Sequence, residues 1–305
     1  MKRVFRFLFP LLLIGGISCS TESAIQQIIG INAEAPVFLE YRPISSTEVV
    51  FKFSQPVRLV SLHFDTELNL ESVEEGEELK VTFARALREG QKVTADILVE
   101  NAGRSTLNVI VPFRTRNDRM PTLVFNELRT EYSRPRTEFV EFFASGPGNL
   151  GALRLFVASY SLTRPLYEFP PAEVRAGDYI VLNLRTLEEG SVDTATEFWL
   201  PGAVKRLRRT DALWIVDQDE RIIDAVFLSE SPESAWNNNI AQAADFLAAQ
   251  GAWHGGPVIS AGTTATRTIN RNESIAPQRR AENWYITATS GNTPGRPNDP
   301  RRHAQ

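Results

Sequence analysis

Short β-branched and aromatic runs recur at 37–41, 48–53, 57–64, 78–83, 92–100 and 106–113, and Pro, Gly, Asn or Ser closes each one. That spacing predicts a sandwich of short strands over 37–117. Within 48–53 the alternation places Val49, Phe51 and Phe53 on one face, at period two. The acidic run of Glu71, Glu74, Glu75, Glu77 and Glu78 lacks the alternating Asp/Asn ligands and fixed glycine of a calcium loop, and it reads as a solvated hairpin tip. A polar link, 116–121, leads to a second and larger unit. One segment there changes period. Ser231 and Pro232 form a helix start, and Trp236, Ile240, Ala243, Ala244 and Leu247 fall on one helical face before Gly251 stops it.

Two sets of motifs carry resemblances. Phe53-Ser54-Gln55-Pro56-Val57, then Leu87-Arg88-Glu89-Gly90-Gln91 and Phe113-Arg114-Thr115, resemble the bacterial Ig-like domains of envelope proteins. The late turn of that family is one residue short here, at Asn101-Ala102-Gly103-Arg104. Leu123-Val124-Phe125-Asn126-Glu127-Leu128 and Glu138-Phe139-Val140-Glu141-Phe142-Phe143 are similar to the opening strands of the lamin-tail domain. The series continues through Asn149-Leu150-Gly151, Ala176-Gly177-Asp178-Tyr179, Ile223-Asp224-Ala225-Val226, Trp284 and Thr293-Pro294-Gly295-Arg296-Pro297-Asn298. It departs from the family's pattern at Ser274–Arg279. The resemblance spans 122–298 with two insertions. It implies a mainly β chain of two tandem Ig-like β-sandwiches, the second with a helical insertion, used as a non-catalytic interaction module.

The N-terminus bears on location. Lys2, Arg3 and Arg6 precede an apolar run from Phe7 to Ile14, too short to span a bilayer, and small residues lead to Cys19, the sole cysteine. This resembles a lipoprotein signal over 1–18, with Gly16 where such signals prefer a branched apolar residue. It implies lipidation of Cys19, a tether over 19–36 and a membrane partner. Ser20 favours the outer over the inner membrane by analogy with sorting signals. The Pro- and Arg-rich end, 299–305, reads as a disordered tail.

Composition, 42% hydrophobic and 23% charged, is that of a folded body. Without the leader, 30 Lys and Arg face 37 Asp and Glu, a net charge of −7 that gives nucleic-acid binding no support. Catalysis finds no support either. The three histidines lie far apart, and there is no Gly-x-Ser-x-Gly elbow, phosphate loop or metal-spaced His pair, so neither cofactor nor metal is expected. Glu127 and Glu141 could pair as glycosidase carboxylates, but their place in opening strands favours a partner such as Arg129 or Arg154, or a turn to cap. The Asp217–Glu220 turn reads as a hairpin loop rather than a cation site. All five tryptophans lie in the second unit, with Trp214 and Trp284 expected in its core. The candidate contacts for a protein or envelope-polymer partner are Trp236 and Leu247 on the helix, and Arg206, Arg208 and Arg209 in a basic cluster. The resulting expectation is a lipid-anchored envelope protein that binds or scaffolds. The alternative is an accessory domain or weak hydrolase acting on an envelope polymer.

Overall fold

The computed structural model describes residues 34–186, 191–232, 236–276 and 278–304. The leader, Cys19 and all but the last residues of the tether lie outside the described residues. The fold is mainly β, in several sheets.

The first unit contains β1 (Phe38–Ser45), β2 (Glu48–Phe64), β3 (Leu70–Glu74), β4 (Gly76–Phe83), β5 (Lys92–Glu100) and β6 (Thr106–Arg114), ordered β3-β4-β2-β5-β6 with β1 also on β2. Runs 48–53 and 57–64 form one long strand, not two. Its first half pairs with β4 and its second with β5, and the register breaks between Lys52 and Val57. Pro56 sits in that break, where its missing N–H leaves no gap in a ladder. Val49, Phe51 and Phe53 are buried together, as their alternation predicts, and Phe51 meets Phe113 edge-on. The acidic run folds as the β3–β4 hairpin, with Glu75 accepting from the Leu59 amide.

The second unit adds β7 (Leu123–Arg129), β8 (Phe139–Ala144), β9 (Gly148–Asn149), β10 (Arg154–Val157), β11 (Tyr167–Glu168), β12 (Glu173–Val174), β13 (Tyr179–Asn183), β14 (Ala195–Trp199), β15 (Asp211–Val216), β16 (Ile222–Ser229), α1 (Asn238–Ala249), β17 (Val258–Ile259), β18 (Ile269–Arg271) and β19 (Trp284–Ile286). One sheet runs β14-β13-β8-β7-β18-β19, a second runs β11-β10-β15-β16-β17, and β12 pairs with β9. Phe125, Val140, Phe142 and Leu182 of the first and Leu155, Leu213, Ile215 and Val226 of the second share one apolar core. Trp214 and Trp284 are buried in it.

The helix and the chain end each depart from expectation. The helix begins at Asn238, not after Ser231, because Asn237 caps it by accepting from the Ile240 amide. It ends where expected. Gly251 takes a positive φ of 62°, its amide donates to Ala248 and that of Ala252 to Leu247, which satisfies the last carbonyls. The second correction is at the chain end. Residues 299–304 are not a free tail, since the Ala288 amide donates to Arg301 and the His303 amide donates to Ile286. The open edge of β19 supplies partners that composition cannot show.

The link 116–121 is not an open tether between the units. Asn117 is buried, and its side-chain amide donates to the carbonyls of Asn149 (2.7 Å) and Gly151 (2.8 Å). Arg116 makes a forked pair with Asp219, and Arg119 bridges Glu89 and Glu173. Gly90 and Gly151 bring the two backbones together. A Cβ on Gly151 would lie 2.3 Å from the Glu89 carbonyl oxygen, and one on Gly90 would lie 2.3 Å from Gly151. The native protein should therefore resist brief trypsin treatment at Arg116 and Arg119, whereas Gly151→Ala, by forcing the backbones apart, should be cut there several-fold faster with a lower Tm. Equal cleavage of the two, followed by mass spectrometry, would refute the locked junction.

Candidate functional site

Glu127 on β7 and Glu141 on β8 are cross-strand partners, both fully buried. Each carboxylate is occupied by the C-terminal turn. Glu127 accepts from the Thr293 amide (3.1 Å) and hydroxyl (3.2 Å), and Glu141 from the Gly295 amide (2.6 Å) and the Asn126 side chain (2.9 Å). Asn298 completes the cluster by donating to the carbonyl of Arg271 (2.9 Å) while accepting from Asn270 (2.9 Å). Of the readings open from sequence, the turn cap is the one the geometry shows, and the charge of Arg129 also acts on Glu127. Burial pushes Glu127 up to about 7 against the pull of its hydrogen bonds. It also pushes Glu141 well above the usual carboxylate range, and the neighbouring charge of Glu127 adds to this. A pair so enclosed can hold a proton between the strands but cannot reach an external substrate.

Two further buried acids serve the same end. Asp224 accepts from the Phe125 amide (2.8 Å) and from Arg271 (2.5 Å), tying β16 to β7 and β18. Asp211 accepts from the Ser159 amide and hydroxyl and from the Arg208 and Ala212 amides, and burial lifts it to about 6. The exposed Asp217–Glu220 turn is a hairpin loop. Asp217 accepts from the amides of Asp219 and Arg221. Among the described residues no three His, Cys, Asp or Glu side chains converge as metal ligands.

An accessible polar feature is the basic loop before β15. Leu207 is fully buried in the second core, Ser260 donates to the Arg209 carbonyl (2.7 Å), and Asp211 holds the Arg208 amide, so the loop is pinned at three places. Its cations differ in state. Arg206 donates to the carbonyls of Leu184 and Pro201 and is consumed by the fold. Lys205 and Arg209 share Glu131, and Arg209 also meets Glu230. The guanidinium of Arg208 is exposed and has no hydrogen bond or ion pair among the described residues. Lys205, Arg208 and Arg209 line one cavity of about 850 Å³ with Glu131, Thr210, Glu230, Asn237 and Ile240.

The other candidate contacts face inward. Leu247 is fully buried with Ile240 and Ala243 against the second sheet. Trp236 packs edge-on against Phe227 at 4.8 Å, and its indole N–H donates to the Ser229 hydroxyl (3.2 Å). Both side chains pack against the second sheet rather than forming a free face, because a lone apolar stripe is more stable against the neighbouring sheet than in water. Cys19 lies outside the described residues. Sequence reading passed over Glu131, Glu230 and Asn237, single polar residues in separate segments with no local pattern to mark them.

Two outcomes follow. For Glu127 and Asp211 the folded-state values, about 7 and about 6, lie above the ordinary values of 4.5 and 3.8. Between those limits the folded state binds more protons than the unfolded, so stability falls as pH rises through that window. The Tm should drop from pH 5 to pH 7.5, by about 2–4 °C per kcal/mol lost, and Glu127→Gln should flatten the drop. An unchanged slope in that variant, by differential scanning calorimetry, would remove Glu127 as its source. The second outcome concerns the helix. Leu247→Ala should cost about 2–5 kcal/mol in denaturant titrations, and a loss below about 0.5 kcal/mol, the range of neutral surface substitutions, would place α1 outside the core.

A family model, TP_1001_2nd, described as a protein second domain, matches residues 121–197 and 190–286, just over half of the chain. An uncharacterized protein of Treponema pallidum (strain Nichols) is 26% identical over 134 residues, 44% of this chain and 34% of its own length. The chain thus spans about a third of that relative. No solved structure matches it significantly. By the extent of the family match, with β7 at its start and β19 at its end, the chain belongs to the TP_1001_2nd family.

Proposed function

We propose that this chain is a lipid-anchored cell-envelope protein, with the outer membrane favoured, made of two tandem Ig-like β-sandwiches. In this reading the second is lamin-tail-like, and the protein binds or scaffolds rather than catalyses. The observation that carries the functional part is the division of labour among charged groups. Glu127, Glu141, Asp211 and Asp224, four acids that burial pushes toward the protonated form, are enclosed and cap backbone. Around the pinned, partly neutralised cavity, by contrast, charged donors and acceptors face solvent. That arrangement suits recognition: Glu131 and Glu230, the acids that line the cavity, are held in ion pairs by Lys205 and Arg209, whereas a hydrolase would need its acids free to exchange a proton with substrate.

Support for the anchor comes from the basic and apolar leader ahead of Cys19. Locked units suit a platform held at a fixed distance from a membrane. Expressed in a bacterium with lipoprotein processing, the wild type should incorporate labelled palmitate and partition into detergent, and Cys19→Ala should do neither. Equal labelling of the two would overturn the anchor. For the binding role, immobilised protein should retain a defined component from solubilised envelopes, and recovery no greater than on an unrelated β domain would overturn it.

A further inference from the structure

The cavity between the basic loop, Glu230 and the start of α1 has a composition that narrows its occupant. Arg208 brings a full positive charge that no described side chain neutralises. Lys205 keeps two of its three donors, and Arg209, whose guanidinium also donates to the Thr263 carbonyl, keeps two of its five. Charge-assisted donors converging from three side chains match an anion with several oxygens, for which arginine is the best-suited residue. The remaining lining is mixed. Glu131 and Glu230 add acceptors, and Thr210 and Asn237 add polar groups of both kinds. Hydroxyl groups need both a donor and an acceptor, and this rim offers them.

The loop is also preorganised. Buried Leu207, the Ser260 hydroxyl on the Arg209 carbonyl and Asp211 on the Arg208 amide hold its backbone, so little ordering remains to be done on binding. A volume of about 850 Å³ admits a ligand larger than a bare ion.

We infer that this cavity binds a polyol phosphate, with Arg208 holding the phosphate and Glu131, Glu230 and Thr210 facing the hydroxyls. The inference rests on the binding role proposed above and names the ligand class for it. Such a group occurs as a free ester or as a lipid headgroup, and the chemistry recognised is the same.

The test uses the full chain in detergent, titrated by calorimetry with inositol 1-phosphate, with myo-inositol, and with phosphatidylinositol dispersed in the same detergent. Saturable binding of either phosphate compound and not of myo-inositol is expected. The compound that binds more tightly identifies a free or a lipid source. Arg208→Ala should weaken that binding about tenfold or more, as the loss of a charge-assisted contact does. Arg221→Ala, an exposed cation outside the cavity, should leave it unchanged. Absence of saturable binding, equal affinity in Arg208→Ala, or an equal loss in Arg221→Ala would overturn the inference. If envelope capture succeeds while these titrations fail, the ligand assignment falls and the binding role stands. If capture fails as well, both fall.

Discussion

The second unit depends on two carboxylates enclosed between neighbouring strands. Removing Glu127 and Glu141 from water is expensive, and setting them opposite one another adds repulsion. The fold meets this with amides and a hydroxyl from Thr293 and Gly295, more than a hundred and fifty residues along the chain from the acids they satisfy. The opening hairpin and the C-terminal turn must therefore assemble together, because either alone leaves buried polar groups without partners. Asn298, bonded to Asn126, Asn270 and Arg271, carries the same closure across to β18. Gly295, at a positive φ of 74°, can present its amide there because a side chain would strike Val192 and Thr194.

The junction obeys a comparable rule at larger scale. Two β units joined by a handful of residues would ordinarily move against each other. Here the backbones at Gly90 and Gly151 are in contact, and Asn117 takes the place of a strand partner for the carbonyls of Asn149 and Gly151. Exposed ion pairs around it, such as Arg119 with Glu173, add little individually. The buried amide and the close approach supply the geometry, and the charges surround it.

The same economy explains the basic loop. Of its four cations, one is spent on backbone carbonyls and two share acids from distant segments, so Arg208 alone of the four has no side-chain partner among the described residues. A positive run in the sequence thus becomes a single directed charge on a fixed frame. Which cation that is depends on Glu131, before β8, and Glu230, after β16, which the fold carries to the same rim.

Periodicity alone located the runs that became β1, β2, β4, β5 and β6 to within a few residues, though not β3, and it found the inward set Val49, Phe51 and Phe53 and the helix end at Gly251, because these are properties of neighbouring residues. It could not join 48–53 to 57–64, since a strand that changes partner is specified by β4 and β5, not by its own pattern. Nor could it start the helix correctly. Ser231 and Asn237 are both competent caps, and the buried contacts of Ile240, Ala243 and Leu247 select the second. Glu127 and Glu141 stood out in the sequence as acids among apolar neighbours, but their partners were open, because the donors that satisfy them arrive from the far end of the chain. Trp236 and Leu247 lie on one helical face that could dock on the sheet or meet a partner; pattern favoured docking, and only the sheet beside them decides it. Local steric and hydrophobic preferences are written in adjacent residues, whereas the pairing of buried charges and the choice of which apolar face stays wet arise only when distant segments compete for the same space.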